Sequence, residues 1–282
     1  MVCELKEVKK ADPLFEGWQE TMIWSCLQGV MGKIYADSQE DPVSAAALLG
    51  DFCFLAGKPD REFILGGHLL KPAGLREMPP EFLIIVPGNQ GWAELIEECL
   101  GEKAKRVVRY AIKKEPDVFD KEKLRKIVDG LHDGYELTLL GEELFWRCRK
   151  MEWCRSWVEQ YADYDAYRER GLGVVILKDG EPVSGASSYT GYVGGIEVQI
   201  DTREDHRRKG LALICGAGLI LACLERGWYP SWDAQNKWSA ALAEKLGYHF
   251  EREYTAYVAG RECLDPTAEK NQEREGEYVE MS

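Results

Sequence analysis

The sequence predicts an α/β protein in which short strands alternate with helices, and three stretches carry that prediction. Residues 196–200, Ile-Glu-Val-Gln-Ile, alternate apolar and polar side chains, the period of a strand with one buried face. Residues 211–224 form a run of fourteen small and apolar side chains closed by Glu225 and Arg226. That is the length of a buried helix, short of the about 20 residues that cross a bilayer. Asp179-Gly180 supplies the turn of a hairpin between 173–178 and 182–189.

The other elements follow in order. Helical stretches are expected at 14–35 and 42–56, then a segment broken by Pro72, Gly74, Pro79 and Pro80. A strand at 82–86, a helix at 91–100 and a strand at 106–112 complete the first part. Residues 142–161 place apolar side chains at mixed three- and four-residue spacing, the mark of one or two amphipathic helices. After the hairpin, a turn at 191–195 feeds the alternating strand, and the polar loop 203–209 opens the apolar helix. Gly227 stops that helix, 228–233 returns as a strand, Asn236 begins a helix to Leu246, and Gly247 ends it. The last strand is expected at 248–258.

The order strand, helix, strand occurs twice. Sliding 90–107 onto 236–253 pairs Trp92 with Trp238, Glu98 with Glu244, Leu100 with Leu246, Gly101 with Gly247 and Arg106 with Arg252. Five identities in eighteen positions point to a duplicated half, with coincidence of two similar strand–helix–strand units as the alternative. The expected organisation is an N-terminal domain over 1–130, a second domain over 131–260 and a flexible tail over 261–282, with seven acidic and three basic residues.

Composition narrows the function. Nine Trp, thirteen Tyr and eight Phe supply real cores, and a net charge of −13 opposes a nucleic-acid or anionic-membrane partner. The N-terminus lacks the basic-then-apolar pattern of a signal peptide, and nine cysteines without a C-x-x-C pair read as reduced thiols, so a cytoplasmic location is expected. The histidines at 68, 132, 206 and 249 form no zinc-ligand spacing, and no metal is expected. Oligomeric state is left open.

The strongest chemical signal is Arg207-Arg208-Lys209-Gly210-Leu211-Ala212, between a strand and an apolar helix. A helix start leaves main-chain N–H groups unpaired and partly positive, so it holds a diphosphate where no bulky side chain intervenes. Gly210 and Ala212 provide clearance, and three cations add attraction. A basic, solvated helix cap is the plainer reading of these residues taken alone.

With Arg207-x-x-Gly210-x-Ala212 and with Asn236 eleven residues before Gly247-Tyr248, the segment from about 135 to 258 resembles the GCN5-related N-acetyltransferases. The stretches EVQIDTREDHRRKGLA and YPSWDAQNKWSAALAEKLGY also resemble a branch that includes a zwittermicin-type antibiotic self-resistance acetyltransferase. The resemblance implies a mixed, mostly antiparallel sheet flanked by helices, with a degenerate copy of that fold in the N-terminal half. It implies transfer of an acetyl group from acetyl-CoA to an amine of a small, antibiotic-like molecule. A protein of the same fold that binds acyl-CoA without turnover is the alternative.

Carried residue by residue, the resemblance gives Ile200, Asp201 and Thr202 main-chain contacts to the pantetheine amides. It gives Arg207, Arg208, Lys209, Gly210, Leu211 and Ala212 the diphosphate, and Asn236 a contact near the thioester. Asn236 is also a good helix N-cap, and the two roles can coexist. Glu197 is the candidate general base, with an exposed polar strand position as its plainer reading. Asp233 is a candidate for binding a cationic acceptor, with capping of the following turn as its alternative. Many family members carry a tyrosine seven residues after the asparagine as general acid, but Ala243 stands there, and Tyr189, Tyr192 and Tyr254 are not ranked by sequence. In the N-terminal half Arg61 matches Arg207, but Ile64 replaces Gly210, so that copy is expected not to bind the cofactor.

Overall fold

In the computed structural model, which describes residues 2–67, 81–260 and 264, strands and helices fall into two series. The first series is β1 (Cys3–Glu4), α1 (Thr21–Leu27), β2 (Lys33–Ala36), β3 (Ser44–Leu49), β4 (Phe52–Gly57), α2 (Arg61–Leu65), β5 (Phe82–Pro87), α3 (Gln90–Leu100) and β6 (Ala104–Ile112). Helix α4 (Lys121–Asp129) leads into the second. It comprises β7 (Tyr135–Leu139), α5 (Glu142–Lys150), α6 (Tyr164–Arg170), β8 (Gly173–Lys178), β9 (Glu181–Tyr192), β10 (Gly195–Thr202), α7 (Leu211–Glu225), β11 (Tyr229–Ser231), β12 (Asp233–Ala234), α8 (Lys237–Leu246) and β13 (Phe250–Gly260). 3₁₀ segments lie at Val8–Phe15, Gly101–Lys103, Glu152–Trp157 and Glu204–His206.

The chain divides into two compact units, one of residues up to 107 together with 255 onward, the other of 108–254. Residue 130, where a domain boundary was expected, lies inside the second unit, because β6 and β13 each cross between units partway along their length. Apart from Leu264, the expected tail lies outside the described residues, as do Pro72, Gly74, Pro79 and Pro80.

In the first unit β2, β3 and β4 form an antiparallel meander, β4 pairs parallel with β5, and β5 pairs antiparallel with residues 257–260 of β13. Residues 42–56, expected as a helix, are the hairpin of β3 and β4. Every side chain of β3 is buried, and both faces of Ala-Ala-Ala-Leu-Leu and Phe-Cys-Phe-Leu are apolar, so no alternation marks the strands. Trp92 and Ile96 of α3 pack with Phe63, Leu55 and Ile85 in the core of this unit. Of the helix expected at 14–35, only α1 is α-helical.

In the second unit an antiparallel run β7-β8-β9-β10 is closed by β11, which pairs parallel with β10. The turn from β8 to β9 is Asp179-Gly180, both left-handed at φ 53° and 78°, the conformation a two-residue hairpin needs. Helix α7 lies against one face, where Ile196, Val198, Ile214, Cys215, Ala217 and Leu219 share one core. The segment Glu152–Trp157 lies against the other face of β9 and β10. A β-carbon at Gly185 would come within 2.6 Å of the Trp157 indole, so only glycine allows that approach. The strand expected at 228–233 is two pieces, β11 and β12, because after Ser231 the chain leaves β10 and pairs with β6 instead.

Candidate functional site

The site begins where β10 and β11 separate. Their parallel ladder has three rungs, Gly195 with Tyr229, Ile196 with Pro230 and Glu197 with Ser231. Strand β10 continues to Thr202, held by β9 along its other edge. The edge of 198–202 that faced β11 is therefore without a strand, and extended main chain of this kind pairs with amide groups of a ligand. Ile200, Asp201 and Thr202 all lie on this stretch. The Thr202 carbonyl also accepts from Arg207 Nε at 3.2 Å, and the Asp201 carboxylate accepts from Gln199 Nε2 at 2.7 Å. Burial raises the Asp201 carboxyl above its usual range.

The strand end leads into the loop and helix of the basic motif. A short 3₁₀ turn at Glu204–His206 precedes Arg208 and Gly210, which are left-handed at φ 62° and 77°. Among the described residues, nothing accepts at ordinary hydrogen-bond geometry from the main-chain amides of Arg208, Gly210, Leu211 or Ala212, while Lys209 N closes the turn at 207–208; the first helical bond is from Leu213 N to the Gly210 carbonyl, at 3.1 Å. Left-handed residues curl successive amides toward a common centre, and the fifteen-residue helix behind adds its positive end. A β-carbon on Gly210 would meet nothing within 4 Å, so the approach is open. The cations that flank the loop also hold it: Lys209 Nζ donates to the Asp205 carbonyl at 3.1 Å, and Arg203 makes two bonds to the Asp205 carboxylate at 2.7 and 3.0 Å. His206 Nδ1 meets the Tyr135 hydroxyl of β7 at 3.1 Å.

Asn236 Oδ1 accepts from Ser239 N at 2.9 Å, so this side chain caps α8, and it remains exposed. Glu197 is 4% exposed, not the solvated position that alternation alone suggests. Its charge contributes to raising three neighbouring phenols, Tyr192, Tyr229 and Tyr248, each raised chiefly by burial; Tyr229 reaches about 12.

Asp233 has a different environment from either one expected. Its Oδ1 is paired with Arg109, whose Nε donates at 2.7 Å, and its Oδ2 accepts from the Tyr254 hydroxyl at 2.6 Å. The two side chains of the ion pair are only 10% and 11% exposed. Neither free binding of a cationic acceptor nor capping of a turn describes a carboxylate so engaged. Sequence offers no signal for this trio, since Arg109, Asp233 and Tyr254 stand on three different strands, β6, β12 and β13, that only tertiary structure brings together. Ala243 is fully buried on α8, and the hydroxyls of Tyr192 and Tyr254 donate to the Tyr229 carbonyl and to Asp233.

In the first unit, the stretch that the sequence offset sets against this site keeps its strands paired. There β4 and β5 stay paired from Phe52 with Ile84 to Leu55 with Pro87, and Gly88 N donates to the Leu55 carbonyl at 2.8 Å. At the end of β4 the Gly57 carbonyl accepts from Asn89 Nδ2 at 2.9 Å and from Trp92 Nε1 at 3.1 Å. Ile64, which the sequence offset sets against Gly210, is buried in the five-residue helix α2. Trp92 is fully buried whereas its counterpart Trp238 is 85% exposed.

No group of three His, Cys, Asp or Glu side chains among the described residues is placed to hold a metal ion. No helix among them is long and apolar enough to cross a membrane, and eight cysteines are free thiols.

Comparison with known proteins places these features. Residues 12–257 match the family model described as GNAT acetyltransferase. A GCN5-related N-acetyltransferase-like protein from Streptococcus suis is 45% identical, with a TM-score of 0.82 over 89% of this chain and 98% of that one. The uncharacterized N-acetyltransferase YdfB of Bacillus subtilis is 26% identical over 249 residues, which are 85% of this chain and 90% of that protein. A tandem GNAT protein from the clavulanic acid biosynthesis pathway, 12% identical with a TM-score of 0.52 over 92% of this chain and 98% of its own, shares the fold. The chain belongs to the GNAT acetyltransferase family, and its chemistry is acetyl transfer from acetyl-CoA.

Proposed function

We propose that the acceptor is the amine of a small molecule and that transfer takes place beside Glu197, where β10 and β11 part. The observation that carries this reading is the continuity of three features in the second unit: the uncovered edge of 198–202, the open amides within 208–212 and a buried carboxylate at the head of the gap. These residues fit acetyl-CoA. Amides of Arg208, Gly210, Leu211 and Ala212 would hold the diphosphate, with Arg207 in the same loop, and the main chain of Ile200, Asp201 and Thr202 would pair with the pantetheine arm. Asn236, whose Oδ1 is committed to the cap, keeps its Nδ2 to offer near the thioester. When bound, the cofactor supplies an activated acetyl group.

An amine attacks only when unprotonated, and most aliphatic amines carry a proton at neutral pH. Glu197 accepts that proton in this reading, directly or through one water, and the free amine so formed is the nucleophile. Asp233 acts as a positioning residue that fastens β12 to β6 and β13 through Arg109 and Tyr254. An antibiotic-like acceptor follows from the same resemblance in the loop sequences. The first unit is a partner copy that binds no cofactor, as its closed β4–β5 ladder supports. Two measurements test the reading. Coenzyme A should raise the melting temperature, and free thiol should appear from acetyl-CoA when small amines are added; neither effect with any amine would refute it.

A further inference from the structure

Of the side chains in the basic loop, that of His206 is turned inward. It is 11% exposed, against 35% for Arg203 and 62% for Asp205. Its ring meets that of Tyr135 on β7 edge-on, with centroids 5.8 Å apart, and the 3.1 Å bond between Nδ1 and the Tyr135 hydroxyl fastens the turn to the sheet. On the other side of the ring, Nε2 lies 3.6 Å from the Asp205 carboxylate. That carboxylate favours a proton on Nε2, so the neutral imidazole accepts from Tyr135 at Nδ1.

Cations predominate around this imidazole. Arg203 and Lys209 act on it from the loop and Lys178 from β8, where Lys178 Nζ lies over the Tyr135 ring at 5.3 Å. The carboxylate among these groups, Asp205, is already held by two bonds from Arg203 at 2.7 and 3.0 Å. Burial first, then Lys209, Arg203 and Lys178, hold His206 below the ordinary histidine pKa against the pull of Asp205. A bound diphosphate reverses that balance. Two residues of chain span at most about 7 Å, so an anion on the Arg208 amide lies within about 10 Å of the His206 main chain. Charges still act over about 8–10 Å at ordinary ionic strength, and further where the path runs through protein.

We infer that His206 is a proton-linked positioning residue of the cofactor site: it takes up a proton as the diphosphate docks on the neighbouring amides, and its imidazolium, held between Tyr135 and Asp205, strengthens the positive field that retains the cofactor. The inference rests on the reading that amides within 208–212 receive the diphosphate. The added proton comes from solvent and settles on Nδ1, and the Tyr135 hydroxyl turns from donor to acceptor. Binding that raises the pKa of a group takes up protons, so affinity rises as pH falls through the interval between the pKa of the free protein and that of the complex. Above and below that interval affinity is level.

The test uses the full chain and dephospho-coenzyme A, which keeps the diphosphate and lacks the ribose phosphate of coenzyme A, a group whose own ionisation near pH about 6 would obscure the effect. Calorimetric titrations in buffers of different ionisation heat give the protons taken up on binding. Wild type should take up a fraction of a proton at about pH 6.5 and bind about three- to tenfold more tightly at about pH 5.5 than at about pH 8. His206→Asn keeps a group that bonds Tyr135 and does not titrate; its proton uptake should vanish and its affinity should be the same at both pH values. No uptake in wild type, or equal uptake in the two proteins, overturns the inference. So does a variant weakened by the same factor at every pH, the outcome of a purely structural role. Proton resonances of the four imidazoles in wild type give a readout that needs no variant. One of them should titrate at higher pH with dephospho-coenzyme A bound than without it, and none doing so overturns the inference. Binding without proton linkage refutes this inference alone, whereas no binding at any pH refutes the diphosphate reading and this inference with it.

Discussion

Glu197 and Ser231 form the last rung of the parallel ladder between β10 and β11, and beyond them the two strands go separate ways. Strand β10 runs on toward the basic loop, while the chain after Ser231 turns to pair with β6. A single change of pairing partner thereby sets a buried carboxylate at one end of an uncovered strand edge and the amides of a helix start at the other.

The carboxylate is expected to matter for turnover and not for cofactor affinity. Glu197→Gln keeps the shape of the side chain and removes its capacity to accept a proton. Turnover should fall by about 10²–10⁴, with coenzyme A binding within a factor of about two of wild type. Rates and calorimetry on the same preparation check this; full activity in the variant would remove Glu197 as base.

Arg109 and Asp233 predict a stability effect. Truncating either partner leaves a buried charge uncompensated, which costs about 3–5 kcal/mol for a pair this enclosed. Arg109→Ala should lower the urea midpoint strongly and Tyr254→Phe much less, because the second change removes one hydrogen bond and no charge. Similar small losses from both variants would show that the trio is not a structural anchor.

Asp201 predicts a dependence on pH. Burial lifts its folded-state pKa above the usual 3.8, so the fold holds a proton that the unfolded chain releases, and stability falls as pH rises through that interval. Asp201→Asn removes the ionising group while keeping an oxygen for Gln199 and Ser156. The variant should be more stable than wild type at pH 7, with the difference shrinking as pH falls toward 4. Unfolding curves at the two pH values decide it, and a difference independent of pH would contradict the assignment.

Much of the second unit was legible in the sequence because its local signals agree. The hairpin turn at Asp179-Gly180, the alternation at 196–200, the apolar run of α7 and the glycine after α8 all stand within a few residues of the elements they define. The β3–β4 hairpin was not legible, since strands buried on both faces lose their period and read like a helix. The burial of Glu197 was hidden for another reason. Its neighbours on β9 and β11 are set by strand pairing, and the burial of that position is a tertiary fact. The division of the chain was displaced because β6 and β13 are shared by both units, an arrangement no composition shift announces.

The claim on which the account depends is that the open amides between Arg208 and Ala212 receive a diphosphate, and calorimetric titration tests it most directly. Coenzyme A and pantetheine, which lacks the diphosphate, are titrated into wild type and Gly210→Val. A β-branched residue at φ 77° is strained by about 1–2 kcal/mol and obstructs the approach to the amides. Wild type should bind coenzyme A far more tightly than pantetheine, and the variant should lose that advantage while its weak affinity for pantetheine persists. Equal affinity for the two ligands in wild type, or undiminished coenzyme A binding in a folded Gly210→Val, would contradict the account.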